Sequence, residues 1–261
     1  MARKTGRSLR LLSWLVWLLP LAVLGACAWL GVTGTVVSHG LLAFGAAVLV
    51  LVVAAWRYEC GRPAGREIML VASLAALAAA GRIPFAFLPG VQPVTFVCIT
   101  AGIVFGARVA FAVGAVAAVL SNFALGQGPW TPWQMIAWGL AGASAGWCSV
   151  LIKGLGLPAM VAFSILWGYL YGAVVNLWVW TTSFYPLDLR SFLAVESLSL
   201  PFDTAHAAGN AVFVLLLGRR VIRILERFRD RITVTRLSSQ TRPRLRPEHS
   251  LNLDSVASRP E

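Results

Sequence analysis

The chain has 261 residues, of which 58 % are hydrophobic and 12 % charged, and a formal net charge of +12. A soluble domain carries roughly twice that charged fraction, so an ordinary soluble fold is excluded. The basic residues cluster at the N-terminus (Arg3, Lys4, Arg7, Arg10), between Arg57 and Arg66, and after Leu217. That distribution orients membrane helices and lacks the aromatic interleaving of a nucleic-acid surface, so no nucleic-acid partner is expected.

Leu11 to Leu30 contains no charged residue and is long enough to cross about 30 Å of hydrocarbon at 1.5 Å per residue. A cleaved secretory signal is the competing reading, with Leu24-Gly25-Ala26-Cys27 resembling a lipoprotein cleavage box. The apolar run continues past it without a polar linker, which favours a retained helix. A second helix is expected from Gly40 to Trp56. The charged loop Arg57 to Glu67, with Gly61, Pro63 and Gly65, then separates a two-helix preface, residues 1–66, from the rest.

Short apolar segments follow at Ile68–Arg82 and Val94–Phe105, parted by the Pro/Gly-rich stretch Ile83 to Pro93. Interrupted segments of this kind point to a binding site, because irregular backbone at membrane depth survives only where protein or a wet cavity satisfies it. Further helices are expected at Val109–Leu125, Trp133–Ile152, Ala159–Trp180 and Thr204–Leu217. Together with the preface they make eight crossings, an all-α polytopic membrane protein whose core spans residues 67–218. The inner loops then hold Arg57, Arg62, Arg66, Arg108 and Lys153, leaving only Arg82 and Arg190 outside. Both termini are therefore expected in the cytoplasm of a plasma-membrane protein. The outer connections are Gly81–Pro93, Gly126–Pro132 and Thr181–Asp203. Residues 219–261 read as a basic amphipathic helix (Ile222, Leu225 and Phe228 at helical spacing), either lying on the anionic leaflet or forming a solvated helix end, followed by disorder from Thr233.

The chemistry in this core is neutral. His39, His206 and His249 are far apart without ligand companions, and the four cysteines (Cys27, Cys60, Cys98, Cys148) lack metal spacing, so neither a metal nor another cofactor is expected. Ser121 and His206 in different segments make a weak serine-type signal without a Gly-x-Ser-x-Gly turn, so the chain is not read as an enzyme. No Gly-x-x-x-x-Gly-Lys loop is present; ATP-driven work needs another subunit. No carboxylate is expected in the middle of a helix, and Asp203 falls at the edge of the last one, which disfavours ion coupling.

Gly126 to Trp138 (GQGPWTPWQMIAW) joins two apolar segments with prolines, glycines, tryptophans and glutamines but no charge. Alone it is either an interfacial anchor or the mouth of a pocket. Asn122, Gln134, Trp138, Tyr171, Asn176 and Asn210 place amides and rings in the apolar segments, where each must find a partner helix or a ligand. Ala72, Ala76 and Ala80 recur every fourth residue and form a flat face for a close helix contact, internal or external; Ala110, Gly114 and Ala118 compete for that role.

Ile83-Pro84-Phe85, Val91-Gln92-Pro93-Val94-Thr95, Ala101 to Gly106, Ser121-Asn122-Phe123 and Gly126 to Gln134 together resemble a substrate-binding S component of energy-coupling factor (ECF) transporters, the cobalamin-type subgroup being nearest. The resemblance covers roughly Ile68 to Leu217. It implies a six-helix core preceded by two extra transmembrane helices, capturing a vitamin-like micronutrient from outside, with cobalamin first and a deazapurine, flavin or other micronutrient behind it. A transmembrane coupling protein and two ATPase subunits would be its partners in the lipid bilayer. Ala72, Ala76 and Ala80 would contact the coupling protein, and Gly81–Pro93 and Gly126–Pro132 would gate the site. The expected solute contacts are Arg82, Gln92, Asn122, Gln127, Trp130, Trp133, Gln134, Trp138, Tyr171 and Asn176. A membrane scaffold that binds no solute is the alternative of a different class.

Overall fold

The computed structural model describes residues 39–240, with side chains as far as residue 231. The expected helix at Leu11–Leu30 and the tail after residue 240 lie outside the described residues. Among the described residues there is no strand. The α-helices are α1 His39–Cys60, α2 Gly65–Arg82, α3 Val94–Phe105, α4 Ala107–Leu125, α5 Thr131–Trp147, α6 Ser149–Leu155, α7 Leu157–Ser183 and α8 Leu189–Gln240, with a 3-10 turn at Ile83–Phe85. By length and apolar composition α1, α2 with its 3-10 turn, α4 and α7 can each cross a membrane, and α5 with α6 adds a fifth span if the bent pair is one crossing. Leu49, Met69, Leu77 and Leu166 are exposed on these helices, as a lipid-facing surface requires. The chain is a helical membrane protein.

Punctuation in the sequence sets the boundaries. Pro84 lacks the N–H that would continue α2, so the helix tightens into the 3-10 turn. Pro132 and Pro158 sit in the first turns of α5 and α7, where a missing N–H costs nothing. The connections between helices gather at two ends of the bundle. At one end Arg108 pairs with Glu67 at 3.0 Å and Lys153 with Glu226 at 2.7 Å. At the other end lie the Ile83–Pro93 stretch, the turn before α5 and the 184–188 connection.

Small residues let the helices approach closely. A methyl group at Gly114 would lie 2.5 Å from the Trp138 backbone carbonyl, so α4 and α5 touch backbone to backbone there. Ala110 and Ala118 are fully buried with it, which assigns that row to internal packing. The row Ala72, Ala76 and Ala80 is exposed, while Val71, Leu74, Ala75, Ala78 and Ala79 turn inward. On the far side α1 packs Ala43, Ala47 and Val50 against Trp133 and Ile136.

Three sequence expectations are corrected. The single helix expected over Trp133–Ile152 breaks at Cys148 and bends by 67° between α5 and α6. The helix expected at Thr204–Leu217 is the middle of α8, which starts at Leu189 and runs through Pro201. Pro201 lies inside that helix, where it only removes one intrahelical donor. The outer connection therefore shrinks to residues 184–188, and Glu196, expected in that connection, and Asp203, expected at a helix edge, both stand inside a helix. Finally, α8 persists through Thr233 to Gln240, where disorder is expected from composition.

Candidate functional site

Arg82 closes α2, and its side chain enters the bundle. It is buried, 8 % exposed. Its Nη1 donates to Ser121 Oγ and to Asn122 Oδ1, each at 2.7 Å. Both acceptors lie in the last turn of α4, one turn before Gly126 ends that helix. The guanidinium carbon sits 4.9 Å from the Trp138 ring centroid, a cation–π contact that partly replaces lost hydration. Among the described residues no carboxylate pairs with Arg82.

Asn122 extends the network. Its Nδ2 donates to Thr131 Oγ1 at 2.9 Å and to Gln134 Oε1 at 2.7 Å. Thr131 donates in turn to Gln127 Oε1 at 3.0 Å and accepts from the Gly128 N–H at 3.3 Å, and Gln127 Nε2 donates to the Val119 carbonyl at 2.9 Å. The glutamine–tryptophan turn is thereby fastened to the ends of α4 and α5. Asn122 and Gln127 thus use both ends of their amides, as buried polar groups require.

A second branch runs beneath Arg82. Trp138 is fully buried, and its ring lies 4.9 Å from that of Tyr171, which in turn meets the His206 ring edge-on at 4.8 Å. Trp138 Nε1 donates to Thr95 Oγ1 at 3.1 Å, and Thr95 Oγ1 is 2.8 Å from His206 Nε2. Side chains of α2, α3, α4, α5, α7 and α8 thus converge at one end of the bundle. A cavity of about 290 Å³ opens beside them under the Ile83–Pro93 stretch, lined among others by Arg82, Phe85, Leu88, Gln92 and Leu125. Two polar atoms here are buried without a hydrogen-bond partner, Arg82 Nε and Gln92 Oε1.

The expected site residues divide accordingly. Arg82, Asn122, Gln134, Trp138 and Tyr171 come together, Gln127 joins through Thr131, and Gln92 shares the cavity with Arg82. Trp130 is 40 % exposed and lays its ring over Gly128 at the rim. Trp133 does not join them: it is directed at α1, in contact with Ala43, Ala47 and Val50. Asn176 also lies apart, donating to Glu196 Oε1 at 3.1 Å and Ser199 Oγ at 2.7 Å, with Ser199 donating to Asp203. That α7–α8 cluster borders a smaller cavity of about 190 Å³ beside Tyr169 and Leu193.

Ser121, Thr95, Thr131 and His206 belong to the network although the sequence does not single them out as solute contacts. Their only signal is a hydroxyl or imidazole in an otherwise apolar helix. Ser121 donates to the Ala118 carbonyl, and His206 contacts Thr95; the two do not form a serine–histidine pair. Among the described residues no group of three His, Cys, Asp or Glu side chains is placed to hold a metal.

No curated protein and no solved structure matches the chain. Residues 63–227 match the family described as "Family of unknown function (DUF6580)". With that match spanning more than half its length and all the helices that build the site, the chain belongs to the DUF6580 family.

Proposed function

We infer that the chain is a substrate-capture (S) subunit of an ATP-driven importer of the ECF type, taking an organic micronutrient from outside. The observation that carries this reading is the convergence of six helices on a satisfied polar and aromatic cluster beside a cavity under the Ile83–Pro93 stretch. Concave sites with a few convergent polar groups among apolar walls are the usual form of small-molecule pockets. The preface of two helices, the six-helix core and cytoplasmic termini complete the arrangement in the plasma membrane. Its support is the gathering of Arg108, Lys153 and the basic stretch after Leu217 at the end away from the cavity. Ala72, Ala76 and Ala80 offer the coupling protein an exposed flat face, and paired ATPase subunits supply the energy. The reading calls for no cofactor and no catalysis.

The cavity volume favours a compact solute. Roughly 300 Å³ is the low end of organic-ligand pockets, enough for a single- or double-ring vitamin, whereas a corrinoid needs the Ile83–Pro93 stretch to swing away. Mass spectrometry of small molecules released from the full chain purified in lipid nanodiscs tests the reading. A released micronutrient that rebinds with saturable tryptophan quenching supports capture. Release of nothing, with no saturable response across a vitamin panel, makes the chain a membrane scaffold.

A further inference from the structure

Among the described residues Arg82 is the one cation lining the cavity under the Ile83–Pro93 stretch, and none of them sets an opposing charge against it. Its partners are neutral: a hydroxyl, an amide oxygen and an indole face. Burying a guanidinium with only neutral partners is expensive, and proteins ordinarily relieve it with a carboxylate. The described carboxylates at this end of the bundle are otherwise engaged, Glu196 with Asn176, Asp203 with Ser199 and Asp188 with Ser191. Residues 1–38 contain no Asp or Glu.

The unused part of the guanidinium has a definite shape. Nη1 spends its hydrogens on Ser121 and Asn122, which leaves the Nε–H and Nη2 edge. Nε is buried without a partner, and Nη2 makes no hydrogen bond with any described residue. That edge presents two parallel N–H donors, the fork that matches the two oxygens of a planar carboxylate. One positive charge balances one negative charge; a phosphate dianion would call for more than the single cation in this cavity. Gln92 Oε1, buried and unpartnered in the same cavity, is an acceptor awaiting a donor on the same molecule.

We propose that the captured solute is a monocarboxylate, its carboxylate seated bidentately on the Nε/Nη2 edge of Arg82 and an N–H or O–H elsewhere on it donating to Gln92. The proposal rests on the solute-capture reading above. The solute completes the charge balance of the cavity, so ligand and Arg82 stabilise each other. An isosteric primary amide cannot do this, because its NH₂ would face the fork donor to donor.

Matched pairs of probes test it: nicotinate with nicotinamide, biotin with its primary amide, and 4-aminobenzoate with 4-aminobenzamide. Each is titrated onto the full chain in nanodiscs by tryptophan quenching. For at least one pair the acid should bind about tenfold or more tightly than the amide, the scale of a charge-assisted bidentate contact. Arg82→Gln should bring the two members to within about twofold, and Arg82→Lys, which keeps the charge but not the fork, should retain only part of the preference. Helicity and thermal midpoint of both variants, read by circular dichroism, separate lost recognition from lost folding. Amides binding as tightly as acids would overturn the proposal and leave capture standing, as would a co-purified solute without a carboxyl group. If no probe binds and nothing co-purifies, the capture reading falls and the proposal falls with it.

Discussion

Asn122 turns its carbonyl oxygen to Arg82 at 2.7 Å and so holds the guanidinium with half of its amide while the other half ties down the start of α5. The residue is a switchable counter-charge. Asn122→Asp puts a carboxylate against Arg82 with almost no change of shape and removes the donation to Thr131 and Gln134. A solute carboxylate would then meet a guanidinium already neutralised. Affinity for an acidic solute should fall about tenfold or more, and unchanged affinity in a fluorescence titration would show that Arg82 does not read charge.

Trp133 and Trp138 are five residues apart but face different neighbours. Trp133→Ala opens a hole against α1 and should lower stability by about 3 kcal/mol, while solute affinity stays within about twofold. Trp138→Ala removes the ring under Arg82 and beside Tyr171, and should weaken binding about tenfold. Thermal midpoints and affinities measured on the same preparations check the pair; a Trp133 variant that loses binding at full stability would contradict the packing.

Gly90 has φ +78°, and a methyl group there would lie 2.5 Å from the Phe202 carbonyl oxygen of α8. Gly90→Ala therefore carries a left-handed backbone penalty of about 1–2 kcal/mol and pushes the Ile83–Pro93 stretch away from α8. The dissociation rate of a bound solute should rise several-fold, with the network around Asn122 intact. Stopped-flow release of a quenching ligand gives that rate.

Ala76 is exposed between Ala72 and Ala80. A large side chain on such a face keeps a partner helix from approaching. Ala76→Trp should leave solute affinity of the isolated chain unchanged and abolish uptake in cells that express all partners. Uptake at the parental rate would remove this face from the coupling interface.

Asp188 precedes α8, and the Ser191 N–H donates to its Oδ1 at 2.8 Å while Ser191 Oγ accepts from the Asp188 N–H at 3.2 Å. The Ser191 backbone bond, foremost, holds the Asp188 carboxyl below its ordinary pKa. A depressed folded-state pKa stabilises the fold above the unfolded value of about 3.9 and loses that contribution as pH falls through the folded value. The protection of amides 190–192, the ratio of their intrinsic to their observed exchange rate at the same pH, should thus be greatest at neutral pH and fall below about pH 4. Asp188→Asn should flatten the change.

Helix positions were legible wherever punctuation and hydropathy agreed: Val94–Phe105 is bounded by Pro93 and Gly106, and the structure places α3 there. The start of α8 at Leu189 was not legible: Pro201 lies inside that helix, and a proline within a long helix and one at a helix start look alike in sequence. The facing of side chains was less legible. Gln134 and Trp138, four apart, share a helix face, and Trp133 points about 100° away from Gln134. Which face turned inward depended on α1 covering Trp133, a long-range contact no local pattern records. Thr95 and His206 escaped for a related reason: their meaning lies in each other, across 111 positions of chain.

At 52 residues, α8 is roughly 80 Å long at 1.5 Å per residue, more than twice the thickness of a bilayer's hydrocarbon. It carries His206 at the cavity end and Arg219 to Arg231 at the other, with no proline between them. Such a rod is a lever. A tilt of about 10° about His206 displaces Arg227 by roughly 5 Å, so any adjustment of the aromatic cluster to an occupant reaches the opposite end of the protein as movement of its arginine-rich arm.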